Sequence, residues 1–172
     1  MPISADDVVD VLDRLAAAGI GASVAGGWAV DALLGRVTRE HGDIDLAVDD
    51  ADIARAIAAL EGLGLRVEID ERPARLAMGD RRRTVDLHPV RWGADGVGRQ
   101  STGTGGKFVY PPGSTDARGR IGGRDVRCLT PELLVTFHLG YEPRDIDRAD
   151  MTALGARYGL DLPAHCRAKN KP

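Results

Sequence analysis

Apolar residues at Val8, Val11, Leu12, Leu15 and Ala16 recur at the spacing of one helix face. They follow a Ser4 and Asp7 pair of capping-box form and precede Gly19 and Gly21, so the pattern predicts an amphipathic opening helix. Ala22-Ser23-Val24-Ala25 then reads as a short apolar strand running into Gly26-Gly27, and Trp28 to Leu34 as a second helix closed by Gly35. Asp43-Ile44-Asp45-Leu46-Ala47-Val48 alternates with period two, the mark of a half-buried strand, whereas Ile53, Ile57, Leu60 and Leu63 put a helix over 51–63. Three more strands are predicted, over 65–69, 74–78 and 84–90, with charged turns between them. Residues 93–123 are rich in glycine and carry Pro111-Pro112, yet Phe108-Val109-Tyr110 and then Val126 supply apolar anchors, which predicts turns and short strands. Thr130-Pro131-Glu132 has the form of an N-cap followed by a proline at the first helical position, opening a helix that runs through Leu139 to Gly140; another is predicted over 145–158, and the polar tail from Pro163 is expected to be loose. The pattern thus predicts an α/β (α+β) chain in two lobes: 1–92, a mixed β-sheet flanked by helices, and 93–172, short strands and helices.

Composition narrows the function classes. The chain has 172 residues with 23 Lys plus Arg against 26 Asp plus Glu, a net charge of −3, so a dedicated nucleic-acid binder or a polybasic membrane-surface protein is not expected. No run approaches the roughly 18 apolar residues that cross a bilayer, and Ser4-Ala5-Asp6-Asp7 is acidic where a signal sequence is basic and apolar; the expected compartment is the cytoplasm. Cys128 and Cys166 have no metal-ligand spacing. Charge is unevenly spread, with 11 acids and 4 bases in residues 1–60 but 8 acids and 13 bases in 66–127.

The candidate chemistry sits in the first lobe. On a strand, Asp43 and Asp45 project to the same face, and two adjacent carboxylates repel unless a hard cation joins them. Mg²⁺ commonly binds through one or two carboxylates plus substrate phosphate oxygens, and Asp86, on a neighbouring strand, is a third carboxylate, either a ligand or a base for an attacking hydroxyl. Gly26-Gly27 on a strand-to-helix turn lets backbone N–H groups approach a phosphate, while Arg36, Arg39 and His41 lie just ahead of the Asp pair, where a triphosphate needs neutralising. Gly103-Thr104-Gly105-Gly106-Lys107 has the look of a P-loop, but Phe108 stands where a Mg²⁺-binding Ser or Thr belongs; Lys107 is kept as a candidate phosphate contact. Together these parts describe metal-assisted nucleotidyl transfer with pyrophosphate as the leaving group.

The segment from Gly26-Gly27-Trp28-Ala29-Val30-Asp31 through Arg39-Glu40-His41-Gly42-Asp43-Ile44-Asp45-Leu46 resembles small antibiotic nucleotidyltransferases of the DNA polymerase β-like superfamily, most closely the lincosamide and aminoglycoside 2″-O types. The resemblance extends through Asp86-Leu87-His88-Pro89-Val90, Gly105-Gly106-Lys107-Phe108 and Phe137-His138-Leu139-Gly140-Tyr141, with Asp147 and Asp150. It implies the polymerase β-like fold, Mg²⁺ on Asp43, Asp45 and Asp86, ATP or another nucleoside triphosphate as co-substrate, a hydroxylated antibiotic as acceptor, and a homodimer. The superfamily's more usual Gly-Ser is Gly26-Gly27 here, which leaves phosphate binding to the backbone. A polycationic aminoglycoside needs an acidic cleft and a lincosamide needs aromatic walls. Trp28, His88, Phe108, Tyr110 and Tyr141 are the candidate acceptor contacts, while Glu132, Glu142, Asp145, Asp147 and Asp150 read mostly as a solvated helix face. A nucleotidyltransferase toxin or a protein- or RNA-modifying relative, and a non-catalytic nucleotide-binding module, stand as the alternatives at this point.

Overall fold

A computed structural model describes residues 2–139 and 141–167; Gly140 and the tail 168–172 lie outside the described residues. Helix α1 (Ala5–Ala17) begins at a true capping box, in which Ser4 Oγ accepts from the Asp7 N–H and an Asp7 carboxylate oxygen accepts from the Ser4 N–H. Strand β1 (Ala22–Ala25) leads into α2 (Gly26–Leu34), followed by β2 (Ile44–Asp49), a 3₁₀ turn over 50–52 and α3 (Ile53–Glu61). Next come β3 (Arg66–Glu71), β4 (Arg75–Gly79), β5 (Thr84–Trp92), β6 (Gly98–Ser101), β7 (Lys107–Tyr110), β8 (Ala117–Ile121) and β9 (Arg124–Cys128). The described chain closes with α4 (Pro131–Phe137), α5 (Asp145–Tyr158) and a 3₁₀ turn over 164–166.

The sheet is mixed, in the order β3-β4-β5-β2-β1-β9-β8, with β6 and β7 extending from β5 as an antiparallel ladder. The β8–β9 hairpin joins by pairing β9 with β1 in parallel, Val24 opposite Cys128, so the sheet runs continuously across residue 92. Alternation along β2 buries Ile44, Leu46 and Val48 completely or nearly so. Helix α2 is apolar around most of its circumference, burying Trp28 to Leu33, because it lies between the sheet and the C-terminal helices. Its approach to β8 is close enough that a Cβ on Gly119 would stand 2.6 Å from the Ala32 carbonyl group, so only glycine fits there. A second small core of Val135, Met151, Leu162 and Cys166 ties α4, α5 and the last turn together. No helix among the described residues is long and apolar enough to cross a membrane.

Candidate active site

Strand pairing assembles the carboxylates. In the parallel β2–β5 register Asp45 stands directly beside Asp86, and in the antiparallel β1–β2 register Asp45 faces Ala25, the residue that caps α2. Helix α2 begins at Gly26 itself, without a side-chain cap, so the N–H groups of its first turn are free to meet an anion. A side chain at either glycine would collide with the site, and at Gly26 the backbone also demands glycine. Gly26 has φ +56°, and a Cβ there would lie 2.1 Å from Asp45 Oδ2. A Cβ on Gly27 would lie 2.1 Å from Arg39 Nη2 and 2.6 Å from His41 Nδ1. The space a serine would occupy therefore already belongs to two basic side chains.

His41 is buried and fixed. Its Nε2 is 2.6 Å from Asp31 Oδ2, Thr38 Oγ1 donates to the other Asp31 oxygen at 2.5 Å, and the imidazole lies 4.6 Å from the Trp28 ring. Arg39 donates through Nη2 to Asp150 of α5 at 2.9 Å. Arg144 binds both oxygens of Asp147; burial alone would raise that carboxyl, but Arg144 outweighs it and holds the pKa at about 2. Asp147 and Asp150 are both buried, whereas Glu132, Glu142 and Asp145 are exposed, so the solvated face holds for three of those five acids.

Asp86 is also buried, with Oδ1 unpartnered and Arg75 Nη1 3.7 Å from Oδ2. Burial raises its pKa, Arg75 works against that rise, and Asp45 adds to it. Asp43 is exposed as a residue, yet the protein around its carboxyl and then the charge of Asp45 raise its pKa. Next to them runs a relay that nothing in the sequence announces. Tyr110 donates to Gln100 Oε1 at 2.6 Å, and Gln100 Nε2 donates to His88 Nδ1 at 2.9 Å and to the Ala74 carbonyl at 3.0 Å. His88 must then carry its proton on Nε2, which donates to Asp45 Oδ1 at 2.9 Å.

Two cavities open on either side of Asp45. One, about 370 Å³, is polar and is bordered by Gly26, Gly27, Arg39, His41, Asp43 and Arg144, with Asp147 and Asp150 opposite. The other, about 330 Å³, has Phe108, Tyr110, Leu134, Phe137 and Tyr141 in its wall, with His88 and Gln100 beside them. The first gathers the expected phosphate contacts Gly26, Gly27 and Arg39, and the second gathers His88, Phe108, Tyr110 and Tyr141. Three expected residues stand apart. Arg36 is exposed and borders neither cavity, Trp28 is buried against His41, and Lys107 lines a separate cleft with Arg91, Trp92 and Arg99. Arg75, Gln100, Phe137, His138 and Arg144 went unforeseen as site residues; only the aromatic run at 137–141 pointed toward two of them.

Among the described residues no three His, Cys, Asp or Glu side chains are gathered as a ready metal cage. The donor set nonetheless fits Mg²⁺ bound together with a phosphate: Asp86 Oδ1 is buried without a partner, and Asp43 and Asp45 each lie beside another carboxylate.

The aminoglycoside-2''-adenylyltransferase family matches residues 7–154. A lincosamide resistance protein of Staphylococcus haemolyticus is 31% identical over 130 residues, which are 75% of this chain and 80% of that protein. A 2''-aminoglycoside nucleotidyltransferase of Klebsiella pneumoniae is 36% identical over 121 residues, 69% of this chain and 63% of that protein, so the chain spans less than two thirds of its length. Among solved structures, the lincosamide antibiotic adenylyltransferase LnuA with lincomycin bound superposes with a TM-score of 0.79 at 27% identity, covering 91% of this chain and 99% of that one. ANT(2'')-Ia in complex with adenylyl-2''-tobramycin gives 0.71 at 26%, covering 89% and 88%.

Proposed function

Because the chain belongs to the aminoglycoside-2''-adenylyltransferase family, we propose that it is a Mg²⁺-dependent O-nucleotidyltransferase that moves AMP from ATP to a hydroxyl of a lincosamide-type antibiotic and releases pyrophosphate. The observation that carries this reading is the register of Asp45 beside Asp86, with Asp45 itself bordering both a polar cavity at a helix N-terminus and an aromatic one. The triphosphate lies against the Gly26–Gly27 turn, where the first N–H groups of α2, with Arg39 and His41, bind its oxygens. Asp43 and Asp45, with Asp86 beside them, would hold Mg²⁺, which when bound neutralises phosphate charge that builds during transfer. His88 fixes one Asp45 oxygen. Asp86 takes the proton of the acceptor hydroxyl; burial raises its basicity and Arg75 keeps it from rising further.

The acceptor class follows from what walls the second cavity. Phe137 packs edge to face with Tyr110 and tilted against Phe108 there, with ring centroids 5.1 and 5.2 Å apart, and the three offer an apolar surface to a small amphiphile. The two buried acids of the polar cavity are already engaged, Asp147 by Arg144 and Asp150 by Arg39. The cytoplasm, where ATP is made and used, is the proposed compartment. Pyrophosphate release measured with lincomycin and with tobramycin, against four nucleoside triphosphates with and without Mg²⁺, tests the proposal. The expected result is Mg²⁺-dependent release with ATP and lincomycin, abolished in Asp45→Asn with the fold intact; release with no acceptor in the panel would overturn it.

A further inference from the structure

Three residues border both cavities: Gly26, Asp45 and His138. With nucleotide in one cavity and acceptor in the other, the α-phosphorus and the attacking oxygen meet at this shared rim. Asp45 belongs to the carboxylate set and Gly26 offers only backbone, so His138 is the one side chain there whose role is unassigned. It follows α4, and its Nδ1 lies 2.6 Å from the Leu134 carbonyl oxygen. A carbonyl can only accept, so Nδ1 carries a proton and donates it, which pins the ring. Among the described residues Nε2 has no hydrogen-bond partner: Asp147 Oδ1 faces it from 3.9 Å, near enough for charge and too far for a hydrogen bond. The side chain is only 18% exposed, so a phosphoryl oxygen reaching it would be largely shielded from water.

We propose that His138 is a catalytic residue of the transfer step, its Nε2–H donating to a non-bridging oxygen of the α-phosphoryl group while that group passes between substrates. This rests on the functional reading above. In the step, the acceptor hydroxyl gives its proton to the Asp86 carboxylate and its oxygen forms the new bond to the α-phosphorus. The bond from that phosphorus to the α,β-bridging oxygen breaks, and pyrophosphate leaves with the electron pair. The His138 proton is shared with the phosphoryl oxygen and is not transferred. Asp147 Oδ1, 3.9 Å from Nε2, sets a carboxylate beside the ring during the step.

Removing one donor aimed at developing charge costs roughly a hundredfold in kcat. The full chain is assayed with ATP, Mg²⁺ and lincomycin as wild type, His138→Leu, His138→Phe and His138→Gln, alongside thermal melts and calorimetric titration with a non-hydrolysable ATP analogue. The donor-less Leu and Phe variants are expected to lose kcat by about that factor while both KM values and analogue affinity stay within about threefold, and Gln, which keeps an N–H, recovers part of the rate. If His138→Leu does not fold, His138→Phe decides. Wild-type kcat in either donor-less variant, equal rates in Gln and Leu, or a loss confined to KM would overturn the role. A wild type that turns over no acceptor overturns the functional reading and this role with it, whereas an active wild type beside an unimpaired variant overturns this role alone.

Discussion

At position 27 a side chain would have to share space with two basic groups, and they differ in how far they can yield. Arg39 ends in a flexible guanidinium that is part-exposed, but His41 is buried and clamped by Asp31, so a serine there displaces Arg39 first. Gly27→Ser is expected to raise the KM for ATP roughly tenfold, about 1.4 kcal/mol of binding, with kcat much less affected; a serine variant that binds ATP better than wild type would mean the hydroxyl restores more than Arg39 loses. Asp86 gives a pH prediction. A base must be ionised, and burial raises this carboxyl above the ordinary range, so kcat/KM climbs with pH along an acid limb centred above that of a free aspartate. Removing the opposing charge in Arg75→Gln moves the limb further up, and an unmoved limb would take Arg75 out of the site. Asp43, Asp45 and Asp86 were legible in the sequence because strand alternation is local. His138, Asp147 and Asp150 fell within the resemblance, but their place in the site was not legible, because their burial depends on where α4 and α5 land.

The relay through Gln100 belongs to the scale of elements, since it joins β7, β6 and β5 to β2. Pairing of Gln100 with Phe108 and of Gly98 with Tyr110 sets the β6–β7 ladder that brings the Tyr110 hydroxyl to Gln100. The β2–β5 register then sets His88 opposite Ala47, near Asp45. The boundaries of β1, β2 and β5 were readable to within a few residues from alternation and glycine punctuation. The region 93–123 read only as turns and short strands, because β6 carries arginine and glutamine and has little apolar pattern of its own. Gln100→Leu frees His88 to change tautomer and leaves Asp45 less well fixed. A roughly tenfold fall in kcat is expected, together with weaker Mn²⁺ binding followed by electron paramagnetic resonance. Tyr110→Phe, which removes only the far end of the relay, should cost less, and the reverse order would assign the effect to packing of the aromatic wall.

Across the whole molecule, α5 links parts of the chain that are distant in sequence. Asp150 holds Arg39 across 111 residues, and the Tyr158 hydroxyl donates to the Leu33 carbonyl at the end of α2 at 2.9 Å. The basic excess of residues 66–127 is largely answered close by. Many of the arginines in 66–127 pair with acids close by, as Arg72 does with Asp70, Arg83 with Asp80, Arg99 with Asp95 and Arg127 with Asp116. Asp147 connects this helix to stability. Its folded pKa of about 2 lies below the ordinary aspartate value of 3.8, so its contribution is fully present above the higher value and is lost as pH falls toward the lower one. That interval corresponds to about 2 kcal/mol at most, and less once screening at the exposed Arg144 is allowed for. Asp147→Asn keeps an acceptor for the Arg144 N–H but removes the charge. Urea unfolding at pH 7 should therefore show the variant about 1–2 kcal/mol less stable. Other lowered carboxyls, Asp7 and Asp80 among them, titrate in both proteins, so the difference between variant and wild type isolates Asp147. That difference should shrink at pH 3; if it were the same at both pH values, the cost would come from packing around the side chain and not from its charge.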